Sequence, residues 1–412
     1  TRSKPRAATE GRPYSTYKEM RRLDLRKAQA ARLNTIRDIN RQIVLNYVRE
    51  REPISRAEIA RETELQRSTV SAIVEDLKTE GLVEEVGIGE STGGRRPTLL
   101  KLRAADPIAL GVSITPTCTT VATSDLAGRV LDQKKFLTDP EKTISDVISV
   151  VRDFTTRYKG SIEGVGVSLP GLVDPSTGTA LYIPYFLWRD LPISKMISDA
   201  VGLPVVIDND ANAVALAELW FGRPEVNDAR DFILVLVAEG VGTGIIFDGQ
   251  VYRGQRGAAG EFGHMVIGRG APVPCSCGSD DCWEAFSSEG AAIARYLKLS
   301  ATKSPLTFIE LVDRALGGEE NAKTALVETA RHLGVGISNL IIGFSPEAVV
   351  VGGEIARAWD LIEHALTETI ANSVRRGLPS ALILPSTLGD DPTLRGALSL
   401  VLASKFAAAF AA

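Results

Sequence analysis

Hydrophobic residues follow two different periods along this chain, and the change divides it into a front and a body. Near the front, apolar residues recur at intervals of three and four from Ile36 to Val48, which predicts an amphipathic helix that ends before Pro53. Ser55 and Glu58 then have the spacing of a capping box, so a short helix is expected over residues 56–62.

A third helix is expected shortly afterwards. Ser68 is a suitable N-cap after a brief turn at residues 63–66, and Gly81 closes the helix. The inner face of this helix consists of Val70, Ile73, Val74 and Leu77.

Two short strands are predicted over residues 82–86 and 97–102, on either side of a glycine-rich basic turn. Helices followed by such a wing are the plan of a winged helix-turn-helix, whose last helix enters the major groove of DNA. A helical hairpin that serves only for dimerisation is the alternative. The residues expected to contact DNA lie on the third helix and the wing: Gln66, Arg67, Ser68, Thr69, Ser71, Arg95 and Arg96.

The body has apolar strands that alternate with helices, which is typical of α/β domains. Strands are predicted over residues 109–114, 119–124, 164–168, 204–208, 232–237, 244–247 and 348–351. Helices are predicted over residues 143–158, 212–221, 288–297, 321–342 and 359–376. We expect two lobes with a cleft between them, because the chain is too long for a single core.

The charge distribution agrees with this division. Of the 412 residues, the first 105 contain 22 lysines and arginines against 15 acidic residues, and the rest contain 25 against 36. A basic front suits contact with phosphate, although a solvated basic tail would give the same count. Residues 1–32 are polar and arginine-rich and are expected to form a flexible arm. No apolar run suits a signal peptide or a membrane span, so a cytoplasmic protein is expected.

One histidine and three cysteines have the spacing of a metal site. His264 ends a Gly-Glu-Phe-Gly-His run, and a Cys-x-Cys-x4-Cys-x-Glu run follows, formed by Cys275, Cys277, Cys282 and Glu284. One imidazole and three thiolates complete a tetrahedral zinc shell without an open position, so the expected zinc ion is structural. Three free cysteines beside an unrelated histidine are the alternative. The remaining cysteine is expected in the core, and the remaining histidines are expected on helices as ordinary surface or interface residues: Cys118, His332 and His364.

A polar run, Asp208-Asn209-Asp210-Ala211-Asn212, lies where a strand is predicted to end and a helix to begin. Ligands of α/β sheets usually bind at this position. Carboxylates and amides supply the acceptors and donors that sugar hydroxyls require. Helix capping by Asp210 is the alternative explanation of the run.

Together these motifs resemble those of the ROK family (repressors, open reading frames and kinases). The likeness is greatest to its winged-helix transcription-factor branch, which includes repressors that respond to N-acetylglucosamine, xylose or glucose. The resemblance also rests on two further motifs, Ser168-Leu169-Pro170-Gly171-Leu172-Val173-Asp174 and Val351-Gly352-Gly353-Glu354. The resemblance implies a two-lobed hexokinase-like and actin-like (ribonuclease H-like) domain behind the head. The implied limits are an arm at 1–32, a head at 33–105, a first lobe at 106–228 and a second lobe at 229–412 that carries the zinc loop and a C-terminal helix returning to the first lobe.

The resemblance also implies a monosaccharide or amino sugar in the cleft. The matching sugar contacts are Gly171, Asn209, Asp210, Glu261, His264 and Glu284. His264 would bind zinc through one ring nitrogen and a sugar hydroxyl through the other. In the family's kinases the residue that matches Asp210 is the general base, which would be vestigial here. Candidates for the walls of the pocket are Tyr185, Phe186 and Trp188, although Trp188 would also suit a core position.

The loops that hold phosphate in those kinases differ in this chain. Their Asp-x-Gly-x-Thr loop matches a stretch with Ser113 at the aspartate position, Thr115 at the glycine position and Pro116 after it. Their Gly-Thr-Gly loop matches Ala238-Glu239-Gly240, which adds a negative charge, although a small shift of alignment would match Gly242-Thr243-Gly244 instead. No catalytic residue is therefore expected.

The function expected from these features is a sugar-responsive transcriptional regulator, most simply a repressor of carbohydrate uptake or catabolism genes. It would bind operator DNA as a homodimer or homotetramer. An active sugar kinase with a DNA-binding domain is one alternative. The other is a regulator that a protein partner controls, such as a sugar-transport component.

Overall fold

The fold is that of a small head in front of two α/β lobes, in a computed structural model that describes residues 33–89, 96–103, 108–227, 229–301, 304–374 and 377–406. The head contains α1 (Leu33–Arg51), β1 (Ile54–Ser55), α2 (Arg56–Thr63), α3 (Arg67–Thr79), β2 (Val83–Ile88) and β3 (Thr98–Leu102). Its strands form one antiparallel sheet in the order β1-β3-β2. This arrangement confirms the predicted winged helix-turn-helix.

The start of α2 is as predicted, but the start of α3 is not. Ser55 accepts a hydrogen bond from the Glu58 backbone N–H, and the Glu58 side chain accepts from the Ser55 N–H, which confirms the capping box. The prediction of an N-cap at Ser68 is wrong. The Val70 N–H already donates to the Gln66 carbonyl at 3.0 Å, so α3 begins at Arg67 and Gln66 is its N-cap residue. The predicted arm at 1–32 lies outside the described residues.

The two lobes contain most of the predicted elements together with several that were not predicted. The first consists of β4 (Ala109–Ile114), β5 (Cys118–Ser124), β6 (Val130–Leu137), α4 (Thr143–Arg157), β7 (Gly164–Leu169), β8 (Leu172–Asp174), β9 (Thr179–Ile183), β10 (Trp188–Leu191), α5 (Ile193–Val201), β11 (Val205–Asn209), α6 (Asp210–Phe221) and α7 (Pro224–Asn227). The second consists of β12 (Phe232–Val237), β13 (Val241–Phe247), β14 (Gln250–Val251), α8 (Trp283–Ser287), α9 (Glu289–Ser300), α10 (Phe308–Leu316), α11 (Glu320–Phe344), β15 (Ala348–Gly352), α12 (Trp359–Ser373), β16 (Leu382–Pro385) and α13 (Pro392–Phe406).

The main sheets of the two lobes have the same construction. The strand order is β11-β7-β4-β5-β6 in the first lobe and β16-β15-β12-β13-β14 in the second. In each sheet three consecutive strands pair antiparallel, and two later strands add in parallel at one edge. This repeated order is the two-lobed architecture that the family resemblance implies.

Two helices cross between the lobes. α6 follows the last strand of the first lobe but packs against β12 and β13 of the second. Conversely, α13 follows the last strand of the second lobe but packs against β4 and β7 of the first. The two helices also pack against each other. The lobes are therefore joined by a pair of crossed helices.

Glycines permit the close approach of α13 to the first-lobe sheet. A Cβ atom at Gly166 on β7 would lie 1.9 Å from the Ala397 carbonyl oxygen of α13. A Cβ atom at Gly111 on β4 would lie 2.7 Å from the side chain of Leu398. Neither strand can carry a side chain at these positions without moving the helix.

We expect Gly166→Ala to destabilise the protein, because overpacking against a backbone carbonyl forces α13 away from the sheet. The expected loss is about 3 kcal/mol or more of unfolding free energy, measured by chemical denaturation. Gly343→Ala is the matched control, since Gly343 lies on α11 with nothing within 4 Å of an added Cβ. Equal stability of the two variants would contradict the proposed packing.

Candidate ligand cleft and metal cluster

The cleft between the lobes is lined by the polar residues that the sequence singles out. It contains about 870 Å³ of space, including the part open to solvent. All six predicted sugar contacts line it: Gly171, Asn209, Asp210, Glu261, His264 and Glu284. Ser276 and Thr393 also line the cleft and were not predicted. The position of Ser276 between two candidate metal ligands was the available signal, whereas nothing in the sequence brings Thr393 of α13 to this place.

Asn209 and Asp210 have different tasks at the junction of β11 and α6. The Asn209 Oδ1 atom accepts hydrogen bonds from the backbone N–H groups of Ala211 and Asn212, so Asn209 caps α6. Its Nδ2 group donates to the Gly171 carbonyl at 3.0 Å. The alternative that Asp210 is the helix cap is therefore wrong, and the Asp210 carboxylate lines the cleft.

The electrostatic surroundings of Asp210 favour its protonated form. Burial raises the pKa of this carboxyl group to about 7, and the carboxylates of Glu239 and Glu261 act in the same direction against a hydrogen bond from the Ala211 N–H. A carboxyl group near this pKa exchanges between hydrogen-bond donor and acceptor around neutral pH.

An ion pair between half-buried Arg253 and buried Asp208 joins the lobes at the end of β11. The guanidinium group of Arg253, in the second lobe, donates from Nε and Nη2 to one oxygen of Asp208 at 2.8 and 2.7 Å. The other oxygen of Asp208 accepts from the Asn209 N–H and from Asn212 Nδ2. Because Asp208 is almost fully buried, this network fixes the strand end from which Asp210 enters the cleft.

His264 and the three cysteines form one cluster beside the cleft. One potential ligand atom from each of His264, Cys275, Cys277 and Cys282 lies within 4.8 Å of the others. Tetrahedral bonds of about 2.0–2.3 Å would separate ligand atoms by slightly less than 4 Å, so a small contraction would enclose a metal ion. The Nδ1 atom of His264 lies 3.2 Å from the Cys275 sulfur, and its Nε2 atom lies 3.7 Å from a carboxylate oxygen of Glu261. One nitrogen therefore faces the cluster and the other faces a residue of the cleft.

Glu284 joins this cluster to the cleft wall. Its Oε1 atom accepts from the Ser276 N–H and hydroxyl at 3.3 and 3.0 Å. Its Oε2 atom accepts from the Val241 N–H at 3.2 Å, at the start of β13. The carboxylate is buried and thus connects the cysteine loop to the central sheet of the second lobe.

Of the three candidate wall residues, Tyr185 lines the cleft. Phe186 and Trp188 instead pack against each other, with ring centroids 4.7 Å apart, and the indole N–H of Trp188 donates to the Pro140 carbonyl. Burial raises the pKa of the Tyr185 hydroxyl far above its usual value, with carboxylates including Glu284 adding to the shift, so the hydroxyl stays protonated.

The positions that match the phosphate-binding loops of the kinases lie in or beside the cleft. The buried Ser113 hydroxyl shares a 2.7 Å hydrogen bond with the Thr393 hydroxyl, while Thr115 and Pro116 line the cleft. Residues 238–240 form the turn between β12 and β13, and Glu239 lies exposed at its tip. The other possible match lies within β13, where the Thr243 hydroxyl donates to the Gly260 carbonyl at 2.5 Å. Residues of both possible matches to the Gly-Thr-Gly loop line the cleft.

In the head, most of the predicted DNA contacts lie at the start of α3. Gln66, Arg67 and Ser68 are exposed, and Thr69 and Ser71 are partly exposed. Arg96 is exposed at the base of the wing, and Arg95 lies outside the described residues. The structure thus groups the residues of α3 on one accessible helix end.

Three expectations about other residues had mixed outcomes. Cys118 is half-buried at the start of β5 rather than fully in the core. His332 is half-buried on α11, and its ring stacks on Phe286 with centroids 5.1 Å apart. His364 is exposed, as predicted. Among the described residues no helix has the length and apolar character of a membrane span.

Comparison with known families agrees with this division of the chain. The model of the ROK family matches residues 109–404, and that of the MarR family matches residues 43–96. The chain belongs to the ROK family. The xylose repressor of Bacillus subtilis is 31% identical over 374 residues, which cover 89% of this chain and 96% of that protein.

Solved structures show the same relationship. A ROK family transcriptional regulator described as a homologue of the Escherichia coli MLC protein covers 90% of this ROK chain, with a TM-score of 0.73 and 26% identity; the match covers 97% of that chain. A ROK family glucokinase from Streptomyces griseus, solved with glucose and AMPPNP, matches 71% of this chain and 98% of its own, with a TM-score of 0.61 and 30% identity. The kinase matches less of the chain than the regulator.

The pKa of Asp210 predicts a pH-dependent contribution to stability. Since the pKa rises from 3.8 to about 7 on folding, the folded chain holds a proton between these values that the unfolded chain has lost. We therefore expect the stability advantage of the wild type over Asp210→Asn to decrease as the pH rises from 5 to 8, as measured by chemical denaturation. Asp390→Asn removes an exposed carboxylate and controls for the loss of one charge. A difference independent of pH would refute the raised pKa.

Proposed function

We propose that this ROK family member is a sugar-responsive DNA-binding transcriptional repressor of genes for carbohydrate uptake or catabolism. The observation that carries the proposal is one polar cleft, lined by all six residues that the family resemblance assigns to sugar binding, in a chain that also has a winged-helix head. The xylose repressor relative and the regulator structure, which cover nearly the whole chain, support the same function.

The proposed effector is a free monosaccharide or amino sugar. Asp210, Glu261 and Glu284 offer carboxyl groups, and His264 offers a ring nitrogen, in the wall of the cleft. Gly171 would contribute backbone, while Asn209 would act chiefly by capping α6 and holding Gly171 in place. Tyr185 would close one side of the pocket.

We propose that the cleft does not transfer phosphate. Phosphoryl transfer depends on a metal ion and positive or N–H groups around the phosphates. Ser113 supplies no carboxylate for a metal ion, and Glu239 faces the region that polyphosphate would enter. Burial, together with the nearby carboxylates of Glu239 and Glu354, raises the pKa of Glu289 to about 8, so this group is mostly neutral at pH 7. The carboxylate of Glu239 is the charge that would oppose the binding of a nucleoside triphosphate.

The proposed metal is one structural zinc ion, held by His264, Cys275, Cys277 and Cys282. Three sulfur atoms and one imidazole nitrogen are the donor set that zinc prefers, and the set leaves no position for a substrate. Bound zinc would stabilise the loop that carries Ser276, and through the contacts of Ser276 it would position Glu284 in the cleft wall.

We expect the purified protein to contain one zinc ion per chain, measured by inductively coupled plasma mass spectrometry. Cys282→Ser should lose the metal and lower the midpoint of thermal unfolding, because binding free energy is lost from the folded state. Cys118→Ser is the matched control and should keep both, since Cys118 lies outside the cluster. Full zinc content in Cys282→Ser would contradict the proposed ligand set.

We further propose that residues 33–105 form the DNA-binding unit and that residues 106–228 and 229–412 form the lobes. The chain would bind a palindromic operator as a homodimer or homotetramer, with Gln66, Arg67, Ser68, Thr69 and Ser71 at the base edges and Arg95 and Arg96 on the wing. Sugar and operator affinities would then be coupled by about 1–3 kcal/mol.

The test is thermal unfolding against a panel of free monosaccharides, N-acetylated sugars and sugar 6-phosphates. We expect one class to raise the unfolding midpoint with increasing concentration and Asp210→Ala to abolish the increase. Arg67→Ala should instead weaken DNA binding and leave the sugar response unchanged, because Arg67 lies on α3 in the head.

The same panel separates the rival functions. Sugar-dependent conversion of ATP to ADP, with formation of a sugar phosphate, would identify an active kinase and overturn the proposal. The absence of any thermal shift, together with operator binding that no sugar changes, would instead favour control by a protein partner such as a sugar-transport component.

A further inference from the structure

The two helices that cross between the lobes both end against the DNA-binding head. α6 begins at Asp210 in the cleft and ends with Trp220 and Phe221. α13 begins beside Thr393 in the cleft and reaches Phe406. The rings of Trp220 and Phe406 lie 6.1 Å apart, so the far ends of the two helices meet.

Arg49 of α1 contacts both helix ends. Its guanidinium carbon lies 4.9 Å from the centre of the Trp220 ring and 4.7 Å from that of the Phe406 ring. Asn46, one turn earlier, donates from Nδ2 to the Phe406 carbonyl at 2.9 Å. One arginine of the head therefore contacts the ends of both helices.

The Arg49 side chain is poorly solvated and has few other partners. It is only 10% exposed, and its Nη2 group pairs with Glu50 at 2.8 Å. Its Nη1 group is buried without a hydrogen-bond partner among the described residues. A buried cation in this state depends on its aromatic neighbours, since cation–π contacts strengthen when both groups are desolvated. Movement of either ring would thus act directly on α1.

The two helices pack against the sheets of different lobes, so we expect each helix to move with the lobe that it packs against. α13 is seated on the first-lobe sheet through Gly111 and Gly166, as described above. α6 is seated on the second-lobe sheet in the same manner, because Cβ atoms at Gly242 and Gly244 of β13 would lie 2.8 Å and 2.3 Å from atoms of Ala211. A rotation of one lobe against the other must therefore rotate α6 against α13.

The backbones of the two helices come close together near the cleft. A Cβ atom at Gly396 of α13 would lie 2.8 Å from the Ala213 carbonyl carbon and 2.9 Å from the Val214 nitrogen of α6. Trp220 lies seven residues beyond Ala213, and Phe406 lies ten residues beyond Gly396. At the helical rise per residue, these helix segments are about 10 Å and about 15 Å long. A rotation of α6 by about 10° about the contact with Gly396 would therefore displace Trp220 by about 2 Å.

We propose that Arg49 is the coupling residue through which closure of the cleft alters the DNA-binding head. Rotation of the lobes about the Gly396–Ala213 crossing moves the Trp220 ring relative to the Phe406 ring. The guanidinium group then cannot keep both contacts unless α1 follows, so the orientation of the head depends on the angle between the lobes. This inference rests on the proposed function, because it requires an effector that closes the cleft.

The test measures coupling separately from binding. A DNA duplex that the wild-type protein binds is first selected from a random pool. Binding of the wild type to this duplex is then measured with D-xylose, D-glucose and N-acetyl-D-glucosamine. The coupling factor is the ratio of DNA dissociation constants with and without the active sugar, and a factor of about 5–150 is typical. We expect Arg49→Leu and Trp220→Leu to reduce this factor towards 1. Sugar affinity without DNA, and DNA affinity without sugar, should each stay within about threefold of the wild type.

Arg37→Leu is the matched control, because Arg37 lies on the same helix but pairs with Asp76 inside the head. It should leave the coupling factor unchanged. In a double-mutant cycle, Arg49→Leu should add little to the effect of Trp220→Leu on coupling, since both changes break one contact.

Three outcomes would overturn the inference. If Arg49→Leu retains wild-type coupling, the inference fails while the proposed function stands. If no sugar alters operator binding by the wild type, the proposed function fails and the inference fails with it. Hydrogen exchange of the folded wild type provides a readout that needs no variant. The active sugar should change exchange of the backbone amides near the end of α1, and unchanged exchange there would count against the coupling.

Discussion

The backbone contact between α6 and α13 is the constraint on which the rest of the molecule depends. Gly396 allows the two helices to cross at a distance that no larger residue permits. Each helix is then held by glycine-containing strands of the lobe opposite to the one it follows in the chain. The cleft, the lobes and the head are thereby connected at one place, and Asp210 lies less than one helical turn from it.

Much of the fold could be predicted from the sequence, because local patterns determine it. The capping box at Ser55 and the apolar strand at residues 232–237 lie where the pattern placed them. The start of α3 could not be predicted. A serine that suits an N-cap position does not show which backbone carbonyl accepts the first hydrogen bond of the helix. The small sheet β8-β9-β10 also escaped, because its strands of three to five residues are too short for a clear period.

The candidate site was predictable to a different degree. Short motifs predicted that Asp210, Glu261 and the cysteines lie in one region, because the same motifs occur together in the ROK family. The geometry did not follow from the motifs: Asn209 proved to be the helix cap, and Trp188 proved to face away from the cleft. The contact of Arg49 with Trp220 and Phe406 joins residues more than 170 positions apart, and no local pattern announces such a contact.

The identical strand order of the two lobes has an evolutionary consequence. A fold with this internal repetition is what duplication and fusion of one ancestral α/β unit would leave, and α6 and α13 are then equivalent helices of the two copies. The ends of the two helices form a surface whose shape changes when the lobes close. This holds in any protein that inherits the fold, whether or not another domain is bound at that surface. Acquisition of a neighbouring domain at that surface is thus a short route from an enzyme of this architecture to a regulator.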